Sequence, residues 1–331
     1  MTPGRQGRLA LGFLLSLWLL YLMFRDVHWH VFSDRLLTVD PVLPLAALMV
    51  LGADYCLRLL RWQRMLRRAG SPIDWRKCAR PFFIGFALNN LLPLRAGDIA
   101  RVVGFRETIG LSGARILATL VAERLLDLLV LLAMLSISLA WLPSGEGTAA
   151  WAGKLGWGAG IALTATVIIG LALLAVTRMA ECLQRLLRRA FGNERGQGLA
   201  DRIEQLRTAL MLLGNPRALA GFVAMSITAW LLEGAVFALV AAMLGLEPAG
   251  IWLSLAAGNL GTLLPGAPGH LGTFDFFAMQ GLIAYGAEHE TAAAFAVWVH
   301  AILWLPVTLT GLALMPCGAG VLPKEADARN R

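Results

Sequence analysis

The sequence predicts an all-α polytopic membrane protein, with about six transmembrane helices and two shorter re-entrant segments arranged as an inverted repeat. Three observations carry that expectation. Of 331 residues, 58% are hydrophobic and only 15% charged, against about 25% charged in soluble domains, and the mean hydropathy is +0.67. Apolar runs near the ~20 residues that a bilayer core demands recur along the chain. The pattern Leu-Leu-Pro-x-x-x-Gly occurs twice, at Leu91 to Gly97 and at Leu263 to Gly269, 172 residues apart.

The first span is 9–24. It follows a basic start, as in a signal peptide, but no small-x-small cleavage site follows, and Trp18, Tyr21 and Phe24 are bulky, so it is expected to be retained. The second span is 41–60. The stretch Arg61 to Arg80 holds seven basic residues against Asp74 alone, which predicts a cytoplasmic loop. Spans 115–142 and 156–177 follow, joined by a loop whose only charges are Glu146 and Lys154. The 178–217 connection carries eight arginines against four acids, and its 181–213 part is expected to form an amphipathic hairpin at the inner surface. Spans 218–245 and 292–315 complete six crossings, with both termini cytoplasmic.

Residues 81–94 and 251–264 are apolar but only 14 long, contain Asn89, Asn90 or Asn259, and run into Pro and Gly. They are too short to span. Irregular backbone at membrane depth is tolerated only where protein buries it or it lines a wet cavity, so both are expected to be re-entrant. Each follows one long helix and precedes another. The organisation is therefore one membrane domain over 1–331, with a first half at 41–142 and a second at 218–315. By the charge count the two halves enter from opposite sides, an arrangement that places binding sites at Pro/Gly-interrupted segments.

The formal charge of +8 lies in short loops between apolar runs, so anionic lipid, not nucleic acid, is the expected partner. Cys56, Cys78, Cys182 and Cys317 have neither C-x-x-C nor metal-ligand spacing. No cofactor or metal is expected. The glycosyltransferase D-x-D, G-x-S-x-G, P-loop and G-x-G-x-x-G patterns are absent. The chain is therefore expected not to be an enzyme, with no catalytic residue assigned.

The candidate site residues are polar groups in apolar surroundings. Glu123, Arg124 and Asp127 interrupt the third long helix, where translocon scales charge about 2.5–3.5 kcal/mol for each such residue. They form either a self-satisfied ion pair or a cluster facing a cavity. Arg95, Asp98 and Arg101 follow the first Leu-Leu-Pro. There Asp98 could cap the next helix, or a helix N-terminus flanked by arginine could receive a lipid phosphate. Arg58 and Arg61 are expected to snorkel from the second helix to the interface. Glu233 stands alone in an apolar run and is expected to answer an arginine across the bundle. Asn90 and Asn259 precede the two motifs, with Pro93, Gly97, Pro265 and Gly269 as hinges. After the second come His270, Thr273 and Asp275; His270 and Asp275 spell H-x-x-x-x-D, the acyltransferase pattern in which His is the base and Asp orients it.

These residues resemble a known family. Asn90, Pro93, Arg95, Gly97, Asp98 and Arg101, then Glu123, Arg124 and Asp127, then Pro268, Gly269, Gly272 and Thr273 match the marks of the lysylphosphatidylglycerol synthase transmembrane, flippase-like, family along nearly the whole chain. The resemblance implies a translocator that moves a lipid headgroup between inner-membrane leaflets through a polar cavity between the two re-entrant segments. Its best-known members move aminoacylated phosphatidylglycerol, and relatives are linked to glycolipid, polyprenyl-lipid or hopanoid pathways. Bifunctional members carry a C-terminal soluble synthase, which is not found before Arg331. The expected cargo is an anionic or modified phospholipid or a polyprenyl-linked lipid. Its phosphate would meet Arg95, Arg101 or Arg124, while Asp98, Glu123 and Asp127 balance the arginines or take protons. The alternatives are a lipid transferase using His270, or a partner of a lipid-synthesising enzyme.

Overall fold

A computed structural model of the chain describes residues 3–93, 95–142, 160–161, 163–164, 167–168 and 215–315. Among them the ordered elements are helices: α1 (Pro3–Phe24), α2 (Trp29–Leu37), α3 (Val42–Arg68), α4 (Trp75–Leu91), α5 (Ala96–Val103), α6 (Arg106–Ile109), α7 (Gly113–Ala140), α8 (Pro216–Met243), α9 (Ile251–Gly261), α10 (Thr273–Ile283) and α11 (His289–Ala313). Single 3-10 turns at Pro248–Gly250 and Pro268–His270 precede α9 and α10.

This is an all-α, multi-pass membrane protein. α3, α8 and α11 are long and apolar enough to cross a bilayer, and α1 with α2 adds a fourth candidate if that pair, bent by 95°, is one span. Expected spans 9–24, 41–60, 115–142, 218–245 and 292–315 each fall on one long helix, while 156–177 and the 181–213 hairpin lie mostly or wholly outside the described residues. α7 has the length, at 28 residues, but carries Glu123, Arg124 and Asp127 within it.

Two compact units emerge. The first gathers the described residues of Met1–Arg58, Arg124–Gly170 and Gly221–Pro306; the second gathers those of Leu59–Glu123, Leu171–Ala220 and Val307–Arg331.

In the first unit the core forms around Phe237, Phe274, Phe295, Met279 and Leu255, each 5% exposed or less. The Phe237 ring meets those of Phe274 and Phe295 edge-on at 6.4 and 5.8 Å, the geometry that aromatic quadrupoles favour. α9 and α10 lie against each other as a hairpin, and glycine makes the approach close. A Cβ on Gly281 would overlap the Ser254 backbone, and Ser254 Oγ donates to the Ala278 carbonyl at 2.6 Å. The turn after α1 is pinned to the start of α11. His28 Nδ1 lies 2.7 Å from Glu290 Oε1, a His289 ring nitrogen 2.8 Å from the Met23 carbonyl, and Trp298 Nε1 donates to the Leu36 carbonyl at 3.0 Å.

The second unit corrects one sequence expectation. The basic stretch Arg61 to Arg80 is not a single loop, because α3 continues to Arg68 and α4 begins at Trp75. Basic side chains at a helix C-terminus favour the dipole there, so the same charges also suit continued helix. The short connection is held internally: Ser71 Oγ donates to the Ile109 carbonyl and Gln63 Nε2 to the Ile73 carbonyl. The Asp74 carboxylate then caps α4 by accepting from the Lys77 amide at 2.8 Å. α4 runs 17 residues to Leu91, just before Leu92 and Pro93, where the residue ahead of a proline is pushed out of helical geometry.

Candidate functional site

In the first unit, charge concentrates where α3, α7, α8 and α9 supply side chains to one another. Arg58 Nε lies 2.8 Å from both Asp54 oxygens, one helical turn back, and Arg58 NH2 lies 2.8 Å from Glu233 Oε2 of α8. The other Glu233 oxygen, Oε1, accepts from Asn259 Nδ2 at 2.8 Å. The Arg58 guanidinium also sits over the Trp230 ring at 4.7 Å, while Trp230 Nε1 donates to Asp127 Oδ1 at 3.3 Å. Asp54, Arg58, Asp127 and Glu233 are all buried, none more than 7% exposed. Glu233 therefore does meet an arginine. Arg58 does not snorkel to the interface, because two carboxylates hold it inside at lower cost than an unpaired charge. Asp54 had no sequence signal beyond its i, i+4 spacing to Arg58.

A second buried pair closes the same unit. Asp275 sits at the third position of α10, where its Oδ2 accepts from the Gly272 amide at 2.8 Å. Its Oδ1 lies 2.7 Å from His300 Nδ1 of α11. A carboxylate can only accept, so Nδ1 carries the hydrogen. The expected H-x-x-x-x-D partnership is thus not the one formed: Asp275 orients His300. His270 instead occupies a left-handed conformation at φ 61, and its carbonyl accepts from Thr273 Oγ1 at 3.0 Å. Gly272 has φ 84, and a Cβ there would overlap the Ser16 carbonyl of α1, so only glycine fits this turn. Ser16 Oγ in turn accepts from the Ala267 amide at 2.7 Å. Of the expected hinges, Gly269 is buried with φ 70 and Pro265 is exposed.

The second unit holds a different arrangement around the first Leu-Leu-Pro. Arg95 has φ 52 and is the residue before α5, while Asp98 lies in its first turn. Asp98 does not cap the helix as expected; it trades hydrogen bonds with Asn89 of α4, whose Nδ2 donates to Asp98 Oδ1 at 3.0 Å and whose Oδ1 accepts from the Asp98 amide at 3.2 Å. One amide of that helix terminus, that of Asp98, is in this way partnered by Asn89. Asn90 Nδ2 donates to Thr308 Oγ1 at 2.8 Å. A Cβ on Gly97 would overlap the Gly85 carbonyl oxygen, so α4 and α5 touch along their backbones; Pro93, in the turn between them, is half-buried.

Arg101 is fully buried. Its guanidinium lies 4.7–5.2 Å from the ring centroids of Trp62, Phe82 and Phe86, and its NH2 donates to the Phe82 carbonyl at 2.9 Å. Three aromatic faces suit a desolvated cation. Arg61, expected at the interface, is also fully buried, with its NH2 3.6 Å from Glu123 Oε1. Trp62 Nε1 donates to Thr119 Oγ1 at 3.3 Å beside them.

Glu123 and Asp127, one turn apart on α7, thus fall to different units, Glu123 with Arg61 and Asp127 with Trp230; Arg124, half-buried, belongs to the first. Sequence reasoning missed Asp54, Asn89 and His300 as site members. Asn89 was adjacent to a named residue, whereas His300 carried no local pattern. Cys56 and Cys78 are free thiols, and the described residues contain no cluster of metal-ligating side chains.

Comparison with known proteins identifies the chain. The family model of the lysylphosphatidylglycerol synthase transmembrane region matches residues 9–311. The chain belongs to that family. A curated relative, glycosyltransferase AglD of Haloferax volcanii, is 26% identical over 363 aligned residues that cover 99% of this chain and 58% of the relative. The chain thus spans little more than half the length of that relative. The expectation that the chain is not an enzyme is corrected here: a relative along nearly its whole length is named a glycosyltransferase, so absent soluble-enzyme motifs are no argument against group-transfer chemistry.

Proposed function

We propose that this family member binds the anionic headgroup of a membrane lipid and moves it between the leaflets of the bacterial inner membrane. The observation that carries the reading is the buried Asp54–Arg58–Glu233–Asn259 network. Ionisable groups among membrane helices are expensive and mark substrate pathways. Here they are tied, through Asn259, to an 11-residue helix that ends at Leu-Leu-Pro-Gly. A helix of that length rises about 16 Å, roughly half the ~30 Å hydrocarbon core, which supports a re-entrant α9. The matching features of α4–α5 and α9–α10, an asparagine before Leu-Leu-Pro and an aspartate at the third position of the next helix, support repeat halves at 41–142 and 218–315. Arg124 in the first unit and, separately, Arg95 in the second, each half-buried, are proposed phosphate contacts, and the basic 61–80 stretch supports cytoplasmic termini.

A second reading has its own support in the relative's name: the lipid is an acceptor or donor in glycosyl transfer, and this membrane region holds it for that chemistry. Liposomes containing the purified protein and fluorescent phosphatidylglycerol separate the two. Movement of label between leaflets, with lipid masses unchanged by mass spectrometry, supports translocation. A new sugar-bearing lipid mass after incubation with a membrane extract supports transfer. Label that stays in its leaflet, as in liposomes with an Arg95→Ala/Glu123→Ala variant, counts against translocation of that lipid.

A further inference from the structure

One end of the second unit collects basic side chains from three helices. α3 ends in Arg67 and Arg68, α4 begins with Trp75, Arg76 and Lys77, and Arg106 opens α6; all six are exposed. The turns that carry them are packed together: Ser71 Oγ donates to the Ile109 carbonyl, and a Cβ on Gly110 would lie 3.4 Å from Pro72 Cδ. Among the described residues of these turns the acids are Asp74 and Glu107, and the Asp74 carboxylate is engaged with the Lys77 amide. The surface is therefore strongly positive.

Its depth follows from the same unit. On α3 exposed Leu60 stands two turns before Arg67, about 10 Å of rise, with exposed Arg64 between them. On α7 exposed Leu117 and Val121 follow half-buried Arg115, whose NH1 would lie 3.7 Å from a Cβ on Gly70. Exposed leucine on a membrane helix faces acyl chains, so the arginines beyond it reach the hydrocarbon boundary with their stems along apolar surface and their heads at the phosphates. Trp75 suits that depth too, as an exposed amphipathic ring with the Arg76 guanidinium 5.4 Å from its centroid.

We propose that this basic end is a docking surface for the anionic phospholipid headgroups of the leaflet it faces. Guanidinium groups pair with phosphate bidentately. Phosphatidylglycerol carries a net negative charge that phosphatidylcholine lacks, and the two acids here are too few to reward the ammonium of the latter. Charge complementarity thus selects an anionic lipid, and the neighbouring exposed leucines select a lipid over an acidic protein, which would meet its charges clear of the acyl chains. The Asp54–Arg58–Glu233 network belongs to the first unit and takes no part in this surface. Anionic lipid gathered beside the protein serves translocation and glycosyl transfer equally, so the surface depends on neither reading.

Electron spin resonance of spin-labelled lipids around the full chain in phosphatidylcholine liposomes tests the surface. The protein should immobilise labelled phosphatidylglycerol about fivefold more strongly than labelled phosphatidylcholine, and ~0.5 M salt should remove most of that preference by screening. The variant Arg67→Gln/Arg76→Gln/Lys77→Gln/Arg106→Gln, altered at exposed positions alone, should lose most of the preference while its thermal melt stays that of the wild type. If that variant melts early, Arg67→Gln/Lys77→Gln decides, with a partial loss expected. Arg25→Gln/Arg35→Gln, which removes exposed basic groups of the first unit, should keep the preference. A wild type without preference, a preference that survives salt or the rim substitutions, or one lost in Arg25→Gln/Arg35→Gln overturns the proposal. A chain that selects phosphatidylglycerol yet moves no label between leaflets loses the translocation reading alone.

Discussion

Arg58 has carboxylates at 2.8 Å on two sides and an indole face below it. Such a residue is held by completeness: taking away one partner of a buried pair costs about 3–5 kcal/mol, whereas replacing the pair by packed apolar groups is often neutral. Glu233→Ala should accordingly lower the unfolding midpoint of the detergent-solubilised protein strongly, by a stability loss of about 3 kcal/mol or more. A triple Asp54→Leu/Arg58→Leu/Glu233→Leu variant, which strands no charged member of the triad, should recover most of that loss, read by the same thermal melt. These contacts mark the limit of sequence reading at this scale. Glu233 was legible because it stood alone in an apolar run, and its need for a cation followed from solvation. Asp54 was not, because an acid one turn before an arginine on an amphipathic helix is ordinary. His300 was invisible for a stronger reason: its partner lies 25 residues away on another helix, and a closer histidine, His270, offered a familiar spacing.

Two helical hairpins, α4–α5 and α9–α10, owe their closeness to glycine. At Gly97 an added methyl would strike the Gly85 carbonyl and at Gly281 the Ser254 backbone, and backbone cannot move aside as a side-chain end can. Gly97→Ala and Gly281→Ala should each destabilise by at least about 1–3 kcal/mol, the usual range for overpacking. Gly52→Ala and Gly221→Ala, which meet nothing within 4 Å on helices α3 and α8, should hold or slightly raise stability; thermal melts of the four variants check the contrast. The hairpins were foreseeable because Leu-Leu-Pro ends an apolar run at too few residues to cross. Their extents were less so: α4 starts before the apolar stretch, at Trp75, since Asp74 caps it and Arg76, Lys77 and Arg80 are compatible with helix. The break after α9 is longer than that after α4, which no motif could signal, because its residues are fixed by α1 through Ser16.

Across the whole molecule, apolar composition and periodicity made the all-helical membrane fold legible, and the family match over residues 9–311 agrees with it. Function was legible only at the coarser level of lipid handling. The motifs that marked a family also suggested arginines poised for phosphate, yet Arg101 proves to be enclosed by three rings and Asp98 engaged by Asn89. Sequence spacing reports which residues share a face, not which are already satisfied there. The central claim is that the buried charges serve a lipid headgroup and are not merely structural. The measurement that bears on it most directly is leaflet exchange of fluorescent phosphatidylglycerol in liposomes holding either the wild type or the folded Asp54→Leu/Arg58→Leu/Glu233→Leu variant. The account predicts exchange above that of protein-free liposomes for the wild type and a loss of about tenfold in the variant, the kinetic equivalent of ~1.4 kcal/mol. Exchange no faster than in protein-free liposomes, or equal in both proteins, would contradict it.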